Sequence, residues 1–341
     1  MAKFSSLEFS GSNPQVSFNG NPPGVFELPT TENTSSAGNI WYSDPNIYFS
    51  AFAGVWCAVN NPPRMRRAGG AFGGRDSAVF AGGCMMQMAT RCNTPTSEIW
   101  NGSTWTTGTT MTNEHGDGVA GNGTTDAGLI VGGKYNQHGD YGGMKKQPAT
   151  EEYNGSSWSS GGNTITARHY AKSVGTQDAA FYYGGISNGV SGCVEEYNGS
   201  SWSTVTGIPL SFQCVAYGFG AGTNDALYAD CCTTQKWDGT SWSIISNPLL
   251  PVPYRDSSFG TSTNLGIIYG NPGNFRATER YDGTTWSTST SNSDNPYSDK
   301  NGCGLFGTGA GNSGMVIGST GAYWGAERYT ENIWVYQVNG T

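Results

Sequence analysis

The chain has 341 residues, of which 52 are glycine, 13% aromatic and only 12% charged, and its formal net charge is −8. The aromatic content is enough to build a core, which excludes whole-chain disorder, and the glycines follow no three-residue period, which excludes collagen. An acidic chain with no Lys/Arg run is not expected to bind nucleic acid, because phosphate contacts need clustered cations, and no apolar window is long enough to insert into a membrane.

The N-terminus, Met1-Ala2-Lys3-Phe4-Ser5-Ser6, leads into polar sequence without the apolar stretch of a signal peptide, so synthesis in a cytoplasm is expected. Residues 1–38 carry no repeat. Phe4, Leu7, Phe9, Val16, Phe18, Val25 and Phe26 are spaced through Gly, Pro, Ser and Asn. They read as short extended pieces, either an anchor or arm exchanged between subunits or an extension packed on the body. Residues 39–60 read as a three-stranded β-meander over 38–43, 46–49 and 54–59, a cap or a partial blade.

From residue 61 to 341 the chain repeats. Glu98-Ile99-Trp100-Asn101-Gly102-Ser103-Thr104-Trp105 returns as Glu152-Tyr153-Asn154-Gly155-Ser156-Ser157-Trp158 and as Glu196-Tyr197-Asn198-Gly199-Ser200-Ser201-Trp202. Further copies end at Trp242 and Trp286, and a worn one at Trp334. Asn-Gly or Asp-Gly between large apolar residues predicts a hairpin with a type I′ turn. A second pattern lies between the copies: Asp76–Gly83, Asp126–Gly133 and Asp178–Gly185 each run from a polar turn through apolar residues to Gly-Gly. Such runs predict strands buried on both faces. A further strand fits before each, led by a basic residue in three units (Arg67, Arg168 and Arg255).

Each unit thus holds four strands. The hairpin tryptophans fall at Trp56, Trp105, Trp158, Trp202, Trp242, Trp286 and Trp334, spaced 40 to 53 residues apart, and serve as the repeat's structural anchors. Four strands at this period predict an all-β fold, a six-bladed β-propeller with seven blades as the alternative count. Six is favoured because the last unit ends on its own Trp334 strand and needs no closure from the N-terminus.

The order Gly-Gly, Glu-x-Tyr, then Trp resembles the kelch repeat over 57–341, most clearly in 106–202. Strings such as Thr166-Ala167-Arg168, Gly175-Thr176-Gln177 and Glu152–Trp158 resemble kelch-like repeat proteins of tailed bacteriophages, marine and cyanobacterial phages included. That resemblance implies a non-enzymatic structural protein of the virion surface, a tail fibre or capsid decoration. Its expected partners are other virion proteins and a host-surface glycan or receptor, and it is expected to be a homo-oligomer, with a trimer among the options. The alternative is a free-standing carbohydrate-binding or carbohydrate-active propeller.

The residues offer little catalytic chemistry. His115, His138 and His169 are the three histidines; none stand at metal-ligand spacing, His115 and His138 read as solvated, and His169 as a strand-rim residue. Asp282-Gly283-Thr284-Thr285-Trp286 lacks the residue that the Asp box of six-bladed sialidases has between Asp and Gly. The remaining candidates are a carboxylate clamp of Arg67, Arg168 and Arg255 and a carboxylate pair among Glu114, Asp117 and Asp140, which no motif in the sequence pairs. No catalytic, metal or cofactor site is assigned. Eight cysteines without a CxxC read as mostly free thiols. The insertion 134–150, with Tyr135, His138, Asp140, Tyr141 and Lys145, is the candidate ligand or partner loop, since loops on a rigid scaffold carry function.

Overall fold

The structure is a computed structural model that describes residues 7–10, 15–18, 40–43, 46–64, 66–85, 93–135, 145–189, 191–209, 217–229, 233–249, 257–262, 265–269, 278–289, 305–310, 313–319 and 324–338. The chain forms two compact units, residues 55–330 and residues 1–54 with 331–341.

The larger unit is a six-bladed β-propeller. Five blades are consecutive antiparallel four-stranded meanders. The first runs Gly70–Gly73, Ala78–Ala81, Ser97–Trp100, Trp105–Thr107. The second runs Ala120–Thr124, Ala127–Val131, Thr150–Tyr153, Trp158–Ser160, and the third Lys172–Gly175, Ala180–Tyr183, Val194–Tyr197, Trp202–Val205. The fourth runs from Tyr217–Gly222 to Trp242–Ile245 and the fifth from Ser257–Ser262 to Trp286–Ser289. The innermost strands pack on one another in succession, and Leu305–Ala310 of the sixth blade returns against Gly70–Gly73 of the first. The ring is closed.

The apolar runs form the second strand of each blade, and Ala78–Ala81 and Ala180–Tyr183 are fully buried, as expected. The innermost strands are glycine-rich because neighbouring blades meet there backbone to backbone. A Cβ on Gly121 would lie 2.7 Å from the Ala71 carbonyl of the preceding blade. The Gly-Gly pairs need left-handed backbone at both positions, with φ of 66° and 93° at Gly82 and Gly83.

Large aromatics cement the blades. Each hairpin pairs an aromatic with a Trp across the strands: Tyr153 with Trp158 and Tyr197 with Trp202, both at 4.9 Å between ring centroids, and Trp237 with Trp242 at 5.3 Å. Phe72 of the first blade packs on the Tyr153–Trp158 pair of the second, and Phe181 of the third on Trp237 of the fourth. Burying such rings is the largest apolar contribution available to this chain.

Several expectations are corrected. The hairpins do not carry type I′ turns, which need positive φ at two consecutive residues. Only the glycine is left-handed, as at Gly155 with φ 89°. The loop has four residues, and the Asn154 side-chain oxygen accepts the backbone N–H groups of Ser156 (3.1 Å) and Ser157 (2.9 Å). Asp238 and Asp282 do the same in their blades. The side chain therefore does the work that a second left-handed residue would have done.

The sixth blade is also built differently from expectation. Its strands are Leu305–Ala310, Ser313–Ser319 and Trp324–Val338, and the next neighbour in the sheet is Asn46–Val59. The outer position is thus filled by an N-terminal strand, and Trp56 is the blade's tryptophan. Its ring lies 5.0 Å from Tyr329, and Trp56 Nε1 donates to Thr278 Oγ1 (3.0 Å) as Trp202 Nε1 donates to Thr150 Oγ1 (2.9 Å). Trp334 lies further along Trp324–Val338, in the smaller unit. The Trp334 copy lacks the Asn/Asp-Gly turn, so no hairpin folds back there.

In the smaller unit, Leu7–Ser10 pairs with Gln15–Phe18, and Ile40–Ser43 with the start of Asn46–Val59. The strands expected separately at 46–49 and 54–59 are one 14-residue strand, since Ala51-Phe52-Ala53 offers no Gly, Pro, Asn or Asp to turn the chain. The rest of the expected anchor or arm, 1–38, lies outside the described residues.

The free-thiol expectation fails at Cys84, which is disulfide-bonded to a residue outside the described ones. Pairing depends on Cα separations of about 4.4–6.8 Å, which sequence spacing does not reveal. Cys57 and Cys193 are free, Cys57 being exposed.

Candidate functional site

Because the four strands of a blade alternate in direction, the Asn/Asp-Gly turns all lie at one end of the ring, and the longer connections lie at the other. This loop end carries short ladders: Arg66–Arg67 with Cys84–Met85, Asn93–Thr94 with His115–Gly116, and Lys134–Tyr135 with Lys145–Lys146. His169 bridges Ile186 in the third blade.

A buried polar layer lies beneath these loops. Arg66 leads into the first blade and Arg168 into the third, both fully buried. Arg66 bonds the Glu98 carboxylate and the carbonyls of Gly82 (3.0 Å) and Thr96 (2.7 Å). Arg168 bonds Glu195 (3.0 Å) and the carbonyls of Gly184 (3.0 Å) and Cys193 (2.5 Å). The guanidinium stacks on Tyr182, 4.4 Å from the ring centroid. The planar five-donor fork suits this task, because it reaches the carbonyls of two neighbouring strand ends at once, including those of Thr96 and Cys193, which also accept the Gly82 and Gly184 N–H groups. Burial pulls the Arg66 guanidinium down and pushes the Glu98 carboxyl up, while their mutual attraction opposes both shifts.

The second blade has His115 in this position. It is fully buried, and Nδ1 donates to the Gly132 carbonyl at 2.8 Å, which corrects its reading as a solvated loop residue. A ring shorter than arginine reaches only that one carbonyl. Glu151 is instead satisfied by Thr112 N (2.9 Å), Asn113 N and Asn113 Nδ2 (2.7 Å). Burial holds the His115 pKa below its usual value. His169, 4% exposed, is pulled down to about 4, first by burial and then by the Lys134 and Lys146 charges.

Among the described residues the expected arginine clamp is not formed by its two members Arg67 and Arg168. Arg66, not Arg67, takes the buried position; Arg67 is exposed. Arg168 is committed to Glu195 and backbone oxygens, and Arg255 lies outside the described residues. Of the carboxylate candidates, Asp117 is buried and accepts the Tyr170 hydroxyl at 2.7 Å, and Asp140 lies outside the described residues.

The axis of the ring holds a cavity of about 480 Å³ walled by the innermost strands. Its polar side chains include Asn122, Lys172, Ser173, Thr176 and Ser258. Several are bonded within the wall: Ser173 donates to Asn122 (2.5 Å), Asn122 to the Thr176 carbonyl (2.9 Å) and Ser258 to the Gly218 carbonyl (2.8 Å). No Asp, Glu, His or Arg lines it among the described residues. No group of three or more His, Cys, Asp or Glu among those residues is placed to hold a metal ion.

Of the candidate loop, Tyr135 pairs with Lys145 and Lys134 with Lys146; His138, Asp140 and Tyr141 lie outside the described residues. Lys134 Nζ sits 5.4 Å from the centroid of the Tyr170 ring, and Lys146 Nζ donates to Asn188 Oδ1 (3.1 Å). Sequence reasoning missed Tyr170 and Asn188, which come from the third blade. The signal was the Arg-His-Tyr string at a blade entry, visible only once blades 2 and 3 are neighbours.

No family model matches the chain, and no curated protein matches it by sequence. Among solved structures it is similar to one reported as the structure of YjhT, with a TM-score of 0.59 at 11% identity, over 82% of this chain and 99% of that one. At that identity the likeness concerns the fold alone: the ring belongs with six-bladed β-propellers.

Proposed function

We propose that the protein is a non-enzymatic binding propeller of kelch-like repeats, displayed on the surface of a tailed-phage virion as a tail fibre or capsid decoration. One observation carries the non-enzymatic part. The buried pairs Arg66–Glu98 and Arg168–Glu195 are spent on each other, with the arginines also on strand-end carbonyls, and no Asp, Glu, His or Arg lines the axial cavity among the described residues. The virion assignment rests on the sequence resemblance to phage repeat proteins. On this reading the rigid ring presents its loop end to other virion proteins or a host-surface polymer, in a homo-oligomer for which a trimer is one option.

The test is to purify the source particle and look for the chain by mass spectrometry, with its mass in solution measured by light scattering. A stoichiometric, particle-bound oligomer supports the reading. A free monomer absent from particles overturns it in favour of a free-standing carbohydrate-binding propeller.

A further inference from the structure

The ladder between Lys134–Tyr135 and Lys145–Lys146 places Lys134 directly opposite Lys146. Directly opposed residues share a face of the ladder, and like charges there destabilise it. Among the described residues neither ammonium meets a carboxylate. Lys134 Nζ lies over the Tyr170 ring, and Lys146 Nζ is bonded to the neutral Asn188 amide. The two thus stand opposite each other with no carboxylate bonded to either among the described residues, in a chain whose net charge is −8. Beside them Tyr170 is a fixed platform. Its hydroxyl donates to buried Asp117, its backbone N–H to the Gly118 carbonyl (2.8 Å), and its φ is 56°, a strained value for a tyrosine.

We propose that this face, between the second and third blades, binds an acidic saccharide, with a sugar carboxylate held between the Lys134 and Lys146 ammoniums and a sugar ring set against Tyr170. A carboxylate supplies the charge that the lysine pair lacks, and an aromatic ring with a locked hydroxyl suits the apolar face of a pyranose. A nucleic acid suits it less, because its many phosphates would meet the acidic remainder of the chain. The proposal rests on the binding role above and names its ligand class.

The test is calorimetric titration of the full chain with tetragalacturonate and with its methyl ester, for the wild type and for Lys134→Gln/Lys146→Gln. The acid should bind at least tenfold more tightly than the ester. The double variant should lose at least tenfold, and raising NaCl from about 50 to about 300 mM should weaken wild-type binding. The variant should melt no lower than the wild type, because a like-charge pair has been removed. Equal affinity for the ester, unchanged affinity in the variant, no binding of the acid, or a lowered melting temperature in the variant would each overturn the proposal. So would wild-type self-association that the variant abolishes, which would make a second copy the occupant. If the sugar fails while the chain is found on particles, the binding role stands and only the ligand class falls.

Discussion

The Trp56 indole and the Tyr329 ring pack at 5.0 Å between centroids, joining the first strand of the ring to its last blade. Phe259 of the fifth blade closes on both, at 6.4 and 5.8 Å. Trp56 is partly buried, so Trp56→Ala should cost roughly 2–3 kcal/mol, somewhat below the range for fully buried aromatics. Urea denaturation measures it, and a cost below about 1 kcal/mol would mean that the strand does not close the ring.

Removing one partner of a buried ion pair strands the other, at a cost of about 3–5 kcal/mol. Arg168→Met should show this loss. Adding Glu195→Leu should recover much of it, except for the Gly184 and Cys193 carbonyls that Arg168 also satisfies. A double-mutant cycle by denaturation checks the coupling; additive losses would mean the pair is not coupled.

Acid should weaken the fold through its histidines. His169 titrates at about 4 in the fold and near 6.5 when unfolded, so its depressed pKa favours the folded state fully above about pH 6.5. That contribution falls as pH drops from about 6.5 to about 4, by up to about 1.4 kcal/mol per pH unit. His115 is lowered too and has the same sign. His169→Gln should flatten the stability profile across that window; an unchanged slope would remove His169 from the account.

Thiol labelling should separate the cysteines. In the native protein without reductant, Cys57 should react quickly because it is exposed, and Cys84 should stay unlabelled because it is bonded. Peptide mapping reads both, and labelling of Cys84 before reduction would count against the bond.

At the hairpins Asn154→Asp should be nearly neutral, since Asp238 and Asp282 already accept the same pair of N–H groups. Gly155→Ala, at φ 89°, should cost roughly 1–2 kcal/mol. Thermal melts of the two variants should differ by several degrees.

Much of this ring was legible in the sequence because its signals are local. Asn-Gly flanked by Tyr and Trp marks a hairpin, and Ala-Ala-Phe-Tyr-Tyr-Gly-Gly marks a strand buried on both sides. Blade count followed from the spacing. What was not legible depends on contacts far apart in sequence. That Trp56 replaces Trp334 as the sixth blade's tryptophan needs Tyr329 beside it. That Arg66 rather than Arg67 turns inward is a one-residue choice of facing, and the sequence offers two arginines for it. His115 looked solvated among glycines, but Gly82 of the first blade packs against it so closely that a Cβ there would lie 3.0 Å from the His115 Cβ. Lys134 and Lys146 become opposed only through their ladder, and Tyr170 joins them only across a blade boundary.

The closing strand also sets an order on synthesis. Trp56 and its hydrogen-bond partner Thr278 are 222 residues apart, and at about 5–20 residues per second the early strand waits on the order of 10–45 s for that partner to be made. During that time, and until Trp324–Val338 follows to pair with it, it carries an unpaired edge, the kind of surface that seeds association between nascent chains. The final blade is thus the latest folding step and the one in which neighbouring ribosomes' products can entangle, so yield in a heterologous host should respond to translation speed and to chaperone supply.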